Sequence, residues 1–160
     1  MKTYKPTNKN ILTFLKQSNA IEGEHTQGAL EDAMEAWHFI MSQDELTITN
    51  IKYTHALLLR FLSPQIAGFF RTADVVIGSN ICPSYNMVNG LMLDWVETYG
   101  FAKTPKEIIK AHVEFEHIHP FQDGNGRVGR IIMNWQRLIN NLPIVIIHEG
   151  KEQKDYYKLF

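Results

Sequence analysis

Cysteine is almost missing: Cys82 is the single one in 160 residues, which excludes an internal disulfide and any metal cage built from several thiolates. A reducing compartment is the expected setting, with Cys82 a packed thiol. An excess of charge is also missing, since 16 basic side chains face 17 acidic ones. That balance offers no general attraction to nucleic acid or to an anionic membrane, so any phosphate binding has to be local. No uninterrupted apolar stretch approaches the roughly 20 residues needed to cross a bilayer, and the opening "MKTYKPTNKN" has no apolar signal region. A soluble, cytoplasmic protein is expected. Repeats, low-complexity tracts and linkers are absent too. With 44% apolar and 11% aromatic residues, the expectation is one domain over 1–160 with a sizeable core.

What is present reads mostly as helix. "NILTFLKQSNAIEG" places Ile11, Leu12, Leu15 and Ile21 on an approximate stripe that stops at Gly23, a usual residue just past a helix end. Leu30, Met34, Trp37 and Met41 follow at spacings of three and four, and a third helix is expected over "TNIKYTHALLLRFL" before Pro64. The texture then changes. In "GFFRTADVVIGSNICP", β-branched Val75, Val76 and Ile77 stand between glycines, which predicts a short hairpin or extended flap at about 68–83. Helical spacing resumes through Met87, Leu91 and Trp95. "TPKEIIKAHVEFEHIHP" opens with a capping box, Thr104 and Glu107, and must end near His119 because Pro120 follows. The last long helix is expected from Val128 through Leu142, stopping at Pro143.

The densest chemistry lies in "HPFQDGNGRVGR", His119 to Arg130. It reads as a helix end, a tight loop and a helix start. Gly124 and Gly126 let a ligand approach bare backbone N–H groups, an anion site reinforced by the helix dipole. Arg127 and Arg130, three apart, are expected to reach the same side of that helix start. Asp123 is a lone carboxylate of the kind that holds Mg²⁺ beside phosphate oxygens. His119 can take a proton from an attacking hydroxyl. Phe121 is expected to be core packing, and Gln122 is assigned nothing. Two other readings compete. "GNGRVG" satisfies the dinucleotide pattern, but a helix precedes it where that turn needs a strand. His112, Glu116 and His119 share a helix at spacings of four and three, a conceivable metal-hydrolase face.

The twelve residues also resemble the Fic-domain motif H-x-F-x-[DE]-G-N-G-R-x-x-R at every specified position. Two more segments resemble the same family: "GFFRTADVVIG" its target-docking flap (Val75, Val76, Ile77), and "DYYKLF" the start of a helix lining the adenine pocket (Tyr156, Tyr157). The resemblance implies a mainly α Fic domain with a short β-hairpin flap and a catalytic loop at 119–130. It implies transfer of AMP from ATP to a Ser, Thr or Tyr hydroxyl of a target protein, with self-modification as a further outlet. His119 would be the general base and Asp123 would bind Mg²⁺. Asn125 would contact the α-phosphate, and backbone N–H groups around Gly124 to Arg127 would form the anion hole. Arg127 and Arg130 would hold the β- and γ-phosphates. The related Doc toxins carry lysine where this chain has Gly126 and phosphorylate their targets, so the glycine favours AMP transfer. In longer relatives the helix beginning near Tyr156 runs on for further turns, so less of the adenine wall is expected from a segment that stops at Phe160.

"SNAIEG", Ser18 to Gly23, is similar to the family's inhibitory motif [ST]-x-x-x-E-[GN], which implies an inhibitory helix at about 10–23. By that resemblance Glu22 would pair with Arg130 and deny it to the γ-phosphate. Taken alone, those six residues are a helix C-terminus. Two alternatives accompany AMP transfer: removal of AMP by the same site, and a non-catalytic nucleotide-binding regulatory module.

Overall fold

The computed structural model describes residues 3–160; the first two residues of the opening stretch, on which the signal-region reading partly rests, lie outside them. The helices are α1 (Asn8–Ala20), α2 (Gln27–Met41), α3 (Ile48–Leu59), α4 (Val88–Tyr99), α5 (Pro105–Ile118), α6 (Asn125–Ile139) and α7 (Lys151–Tyr157). One antiparallel hairpin, β1 (Val76–Ile77) and β2 (Asn80–Ile81), pairs Val76 with Ile81 and Ile77 with Asn80. The mainly helical architecture with a short flap is thus as the sequence predicts. No helix among the described residues is long and apolar enough to cross a membrane.

Caps explain most helix starts. Thr7, Thr26, Thr47 and Thr104 each accept a backbone N–H of the first turn through their hydroxyls, satisfying donors that have no intrahelical partner. At Thr104 the predicted capping box is complete, with Glu107 accepting the Thr104 N–H at 3.0 Å. Several ends differ from the sequence reading: α6 runs Asn125–Ile139 and not Val128 through Leu142, and three others shift too. α1 stops at Ala20, so Ile21 to Gly23 form a turn in which Gly23 takes φ +77°, and Glu22 sits on that turn and not on the helix. α3 stops at Leu59, where the buried Asp32 carboxylate accepts from Arg60 and from the Phe61 N–H. The last helix begins at Lys151, before the expected start near Tyr156, so Tyr156 and Tyr157 form its final turn.

α6 runs through the middle of the core. From Val128 to Gln136 every residue is buried, among Phe14, Trp37, Ile51, Leu58, Ile108 and Phe115. A helix buried on all sides must bond its polar side chains internally. Asn134 does so by a two-way bond with the Val145 backbone, and Gln136 by donating to the Tyr99 carbonyl at 2.7 Å. The N-terminus of this rigid helix is where the site forms.

Candidate active site

The loop between α5 and α6 is held in a conformation that neither helix dictates. α5 ends at His119 in the left-handed region, φ 50° and ψ 62°, a conformation uncommon for a residue with a side chain. Pro120 leaves no alternative of continuing the helix. α6 begins behind Gly124, whose φ of +79° and 2.7 Å approach to Leu59 leave no room for a Cβ. Between them Phe121 is fully buried and stacks face to face on His55, ring centroids 3.8 Å apart. The packing expected of Phe121 is therefore found, against a partner that the sequence did not reveal.

His55 is the loop's main support from outside. The Gly68 N–H donates to its Nδ1 at 2.9 Å, which leaves Nε2 to donate to the Asp123 carbonyl at 2.9 Å. Burial lowers its pKa from 6.5 to about 4, with the bond to Asp123 working the other way, so the neutral ring is the folded form. Since the folded value lies below the unfolded one, this contribution to stability is complete above about pH 6.5 and is lost as pH falls toward 4. The full shift corresponds to roughly 3 kcal/mol, of which about 2 kcal/mol is lost by pH 5. Chemical unfolding at pH 8 and pH 5 should show that loss in the wild type, and a smaller pH effect in His55→Asn. Equal losses in both proteins would remove His55 from the acid response.

A cavity of about 930 Å³ opens over the loop, lined among others by His119, Asp123, Gly126, Arg130, Glu22 and Tyr156. Glu116, Gly124, Asn125, Tyr157 and, from the flap, Ile77 and Cys82 also border it. Cys82 is buried and its thiol pKa is raised by burial, consistent with a packed thiol. Val75 and Val76 are not among the lining residues; Val76 is exposed on β1, and the Val75 carbonyl accepts the Cys82 N–H at 3.2 Å.

Arg130 is the charge at the cavity's floor. Its side chain is 1% exposed and is bonded on every nitrogen: Nε to the Ser18 hydroxyl at 2.9 Å, Nη2 to the Ser18 carbonyl at 2.9 Å and to Glu22 Oε1 at 2.8 Å, Nη1 to the Tyr156 hydroxyl at 3.3 Å. Burial opposes its charge, but Tyr156 and Glu22 outweigh burial and raise its pKa. The pairing expected between Glu22 and Arg130 is present in the geometry, with Ser18 as an additional acceptor. Gly23 makes the turn that points Glu22 inward. α7 fastens the same turn, since Gln153 and the Tyr157 hydroxyl both donate to the Ile21 carbonyl, at 3.2 and 3.3 Å. Gly126 allows the carboxylate in: a Cβ there would stand 2.5 Å from Glu22 Oε1 and 2.7 Å from Arg130 Nη1.

Two residues expected on phosphate already have partners within the loop. Asn125, expected on the α-phosphate, is buried and spends its amide on the Phe121 backbone, accepting the N–H and donating to the carbonyl, each at 2.8 Å. It ties the loop there, because buried backbone groups of a loop need such a partner, while still bordering the cavity. Arg127, expected beside Arg130, is not a lining residue. Its guanidinium is 4% exposed and turned to Asp123 Oδ2 at 3.4 Å, with Nε and Nη1 buried without partners among the described residues. Of the two arginines, only Arg130 lines the cavity.

His119 faces the cavity with its pKa lowered by burial first and by Arg71 next, while a hydrogen bond to the Glu116 carbonyl works the other way. Burial raises the Glu116 carboxyl to about 7, and its Oε1 has no partner among the described residues. His112 is bonded to the Tyr156 hydroxyl at 2.7 Å, its pKa lowered by burial to about 3. His112, Glu116 and His119 therefore do not form the metal-hydrolase face. No three His, Cys, Asp or Glu side chains among the described residues are grouped as ligands of one ion. The dinucleotide reading also lacks its framework, since α5 and not a strand precedes the glycines.

The comparisons with known proteins point one way. Two curated relatives are called protein adenylyltransferase Fic: that of Drosophila willistoni is 34% identical over 120 residues, 72% of this chain and 24% of the relative. That of Aedes aegypti is 32% identical over 122 residues, 73% of this chain and 24% of the relative. The chain spans about a quarter of the length of these relatives. Among solved structures, a Fic-domain signaling protein from Bacteroides thetaiotaomicron superposes with a TM-score of 0.80 at 20% identity, covering 94% of this chain and 70% of the other. Fic-1 of C. elegans does so at 0.82 and 22% identity, covering 96% and 55%. The Fic/DOC family model matches residues 45–136, more than half of the sequence and the whole loop from His119 to Arg130, and the chain belongs to the Fic/DOC family.

Proposed function

We propose that this protein is an autoinhibited protein adenylyltransferase, moving AMP from ATP to a Ser, Thr or Tyr hydroxyl of a target protein or of itself. The observation that carries the reading is the Glu22–Arg130 pair at 2.8 Å inside a cavity that also holds His119 and the open N-terminus of α6. Catalytic donors, a base and a blocking carboxylate share one space. In the released state the triphosphate lies over Gly124 to Arg127, whose backbone N–H groups and helix dipole meet the α-phosphate charge. Arg130, freed of Glu22, meets the γ-phosphate. His119 takes the proton of the target hydroxyl as its oxygen bonds to the α-phosphorus, and the bond to the bridging oxygen breaks to release pyrophosphate. Tyr156 and Tyr157 border the space left for the adenosine.

Asp123 suits a Mg²⁺ that arrives on the nucleotide. It is one carboxylate, 60% exposed, beside the anion site, and Mg²⁺ keeps most of its ligands as water and phosphate. Such an ion would neutralise pyrophosphate charge. Asp123→Ala is expected to weaken metal-dependent ATP binding and transfer together, by about tenfold or more. Titrating ATP with and without Mg²⁺ checks this; an unchanged metal dependence would remove Asp123 from the site.

A Glu22→Gly variant incubated with α-labelled or γ-labelled ATP tests the reaction class. Retention of α label alone supports AMP transfer; retention of γ label means phosphorylation and contradicts the proposal. A second reading draws on Glu22 bordering the same cavity as His119: there its carboxylate can orient a water that removes AMP from the target. Loss of removal together with gain of transfer in Glu22→Gly would show that both directions use one site.

A further inference from the structure

The left-handed turn at His119 leaves three consecutive carbonyls, those of Ile118, His119 and Pro120, and one residue takes all three. Arg71 donates from Nη2 to Ile118 at 3.3 Å, from Nε to His119 at 2.8 Å, and from its own backbone N–H to Pro120 at 2.9 Å. The same guanidinium reaches the flap, with Nη1 donating to the Ala73 carbonyl at 2.9 Å and Nη2 to the Pro83 carbonyl. Ala73 lies just before β1 and Pro83 just after β2. We propose that Arg71 is a positioning residue that holds the His119 backbone in its reacting geometry and locks that geometry to the base of the flap. Its effect on turnover rests on the adenylyl-transfer reading above.

Charge and shape both support this. Arg71 is 4% exposed and takes part in none of the ion pairs among the described residues. A buried cation without a directly paired carboxylate needs other compensation; Asp74 lies near enough to feel its charge, and the C-terminal carbonyls of α5, the negative end of that helix, accept its hydrogen bonds. The same charge acts on the imidazole nearby: Arg71 favours the neutral ring, while Glu22 and Asp123 favour the protonated one. A plain helix cap would account for the bonds to Ile118 and His119. It does not account for the two bonds to the ends of the flap. A planar fork with five donors can span both sets of carbonyls, whereas a lysine ammonium is a compact charge that cannot. A target segment seated on the flap is therefore placed against His119 through one rigid group.

The test compares Arg71→Met and Arg71→Lys in the Glu22→Gly background. Arg71→Met is expected to speed amide exchange at Cys82 and in the flap by about tenfold and to shift the His119 NMR titration to higher pH. It should lower kcat by about tenfold or more while KM for ATP stays within about twofold. Arg71→Lys should return the His119 titration toward the parent but leave flap exchange fast and kcat low. An Arg71→Met protein that melts cooperatively and binds ATP, yet keeps parental flap exchange and His119 titration, would overturn the proposal. If Arg71→Met does not fold, the lysine variant decides, and parental flap exchange with parental kcat there would overturn it. A parent that transfers no AMP would defeat the transferase reading alone, because both NMR readouts judge Arg71 without turnover.

Discussion

Glu22→Gly is expected to raise AMP incorporation by roughly ten- to thirtyfold. A hydrogen bond between charged partners contributes about 1.5–3 kcal/mol. Arg130 is 1% exposed but Glu22 is 32% exposed, so the lower half of that range applies, and about 1.5–2 kcal/mol converts to the stated factor. The gain belongs to productive binding. On the proposed competition, ATP that enters with Glu22 in place would lack Arg130 for its γ-phosphate, so total ATP affinity should change less than transfer does. Ser18 restrains the same guanidinium through its hydroxyl and its carbonyl. Ser18→Ala removes only the hydroxyl and should give a smaller gain. Incorporation of α-labelled AMP at saturating ATP measures both.

His119→Ala is expected to abolish transfer while ATP still binds within about twofold of the parent. Loss of a general base costs about a hundredfold or more: His112 is bonded to Tyr156 and His55 is closed under the loop, and the other titratable groups bordering the cavity beside it, Glu116 and His117, stand on α5 before the turn that carries His119. In the proposed reaction the imidazole acts on the attacking hydroxyl, not on the nucleotide, so affinity should survive. Isothermal titration of ATP alongside the transfer assay separates the two quantities. A variant that loses ATP binding would show that His119 holds the loop and does not serve as base.

The parts of the site that were legible in the sequence are those written in consecutive residues. The helix break at His119 follows from Pro120, the start of α6 from the glycines, and the Thr104 cap from Glu107 three positions on. The Glu22 and Arg130 contact spans 108 positions and was reached through resemblance, not through spacing. What the sequence hid were side chains whose partners are remote. His55 sits in an apolar helix with nothing local to distinguish it, and its role depends on a carbonyl 68 positions away. Arg71 follows two phenylalanines, and nothing adjacent in sequence points to the α5 carbonyls that surround it. Arg127 and Asn125 have types that suit phosphate, and the sequence did not show the partners they already have, Asp123 for Arg127 and the Phe121 backbone for Asn125. Residue type at fixed spacing determines which chemistry is available, whereas which face is buried decides who performs it.

Competition between Glu22 and the γ-phosphate for Arg130 is the central claim, and one set of rates tests it most directly. Incorporation of α-labelled AMP is measured for wild type, Glu22→Gly, Arg130→Ala and the double variant, with Mg²⁺ and a substrate lysate. If one arginine is the shared partner, the glycine variant is far more active than wild type, and Arg130→Ala cancels that gain, leaving the double variant no better than Arg130→Ala alone. A glycine variant no more active than wild type on any substrate, itself included, would contradict the account. So would a double variant that keeps the gain without Arg130.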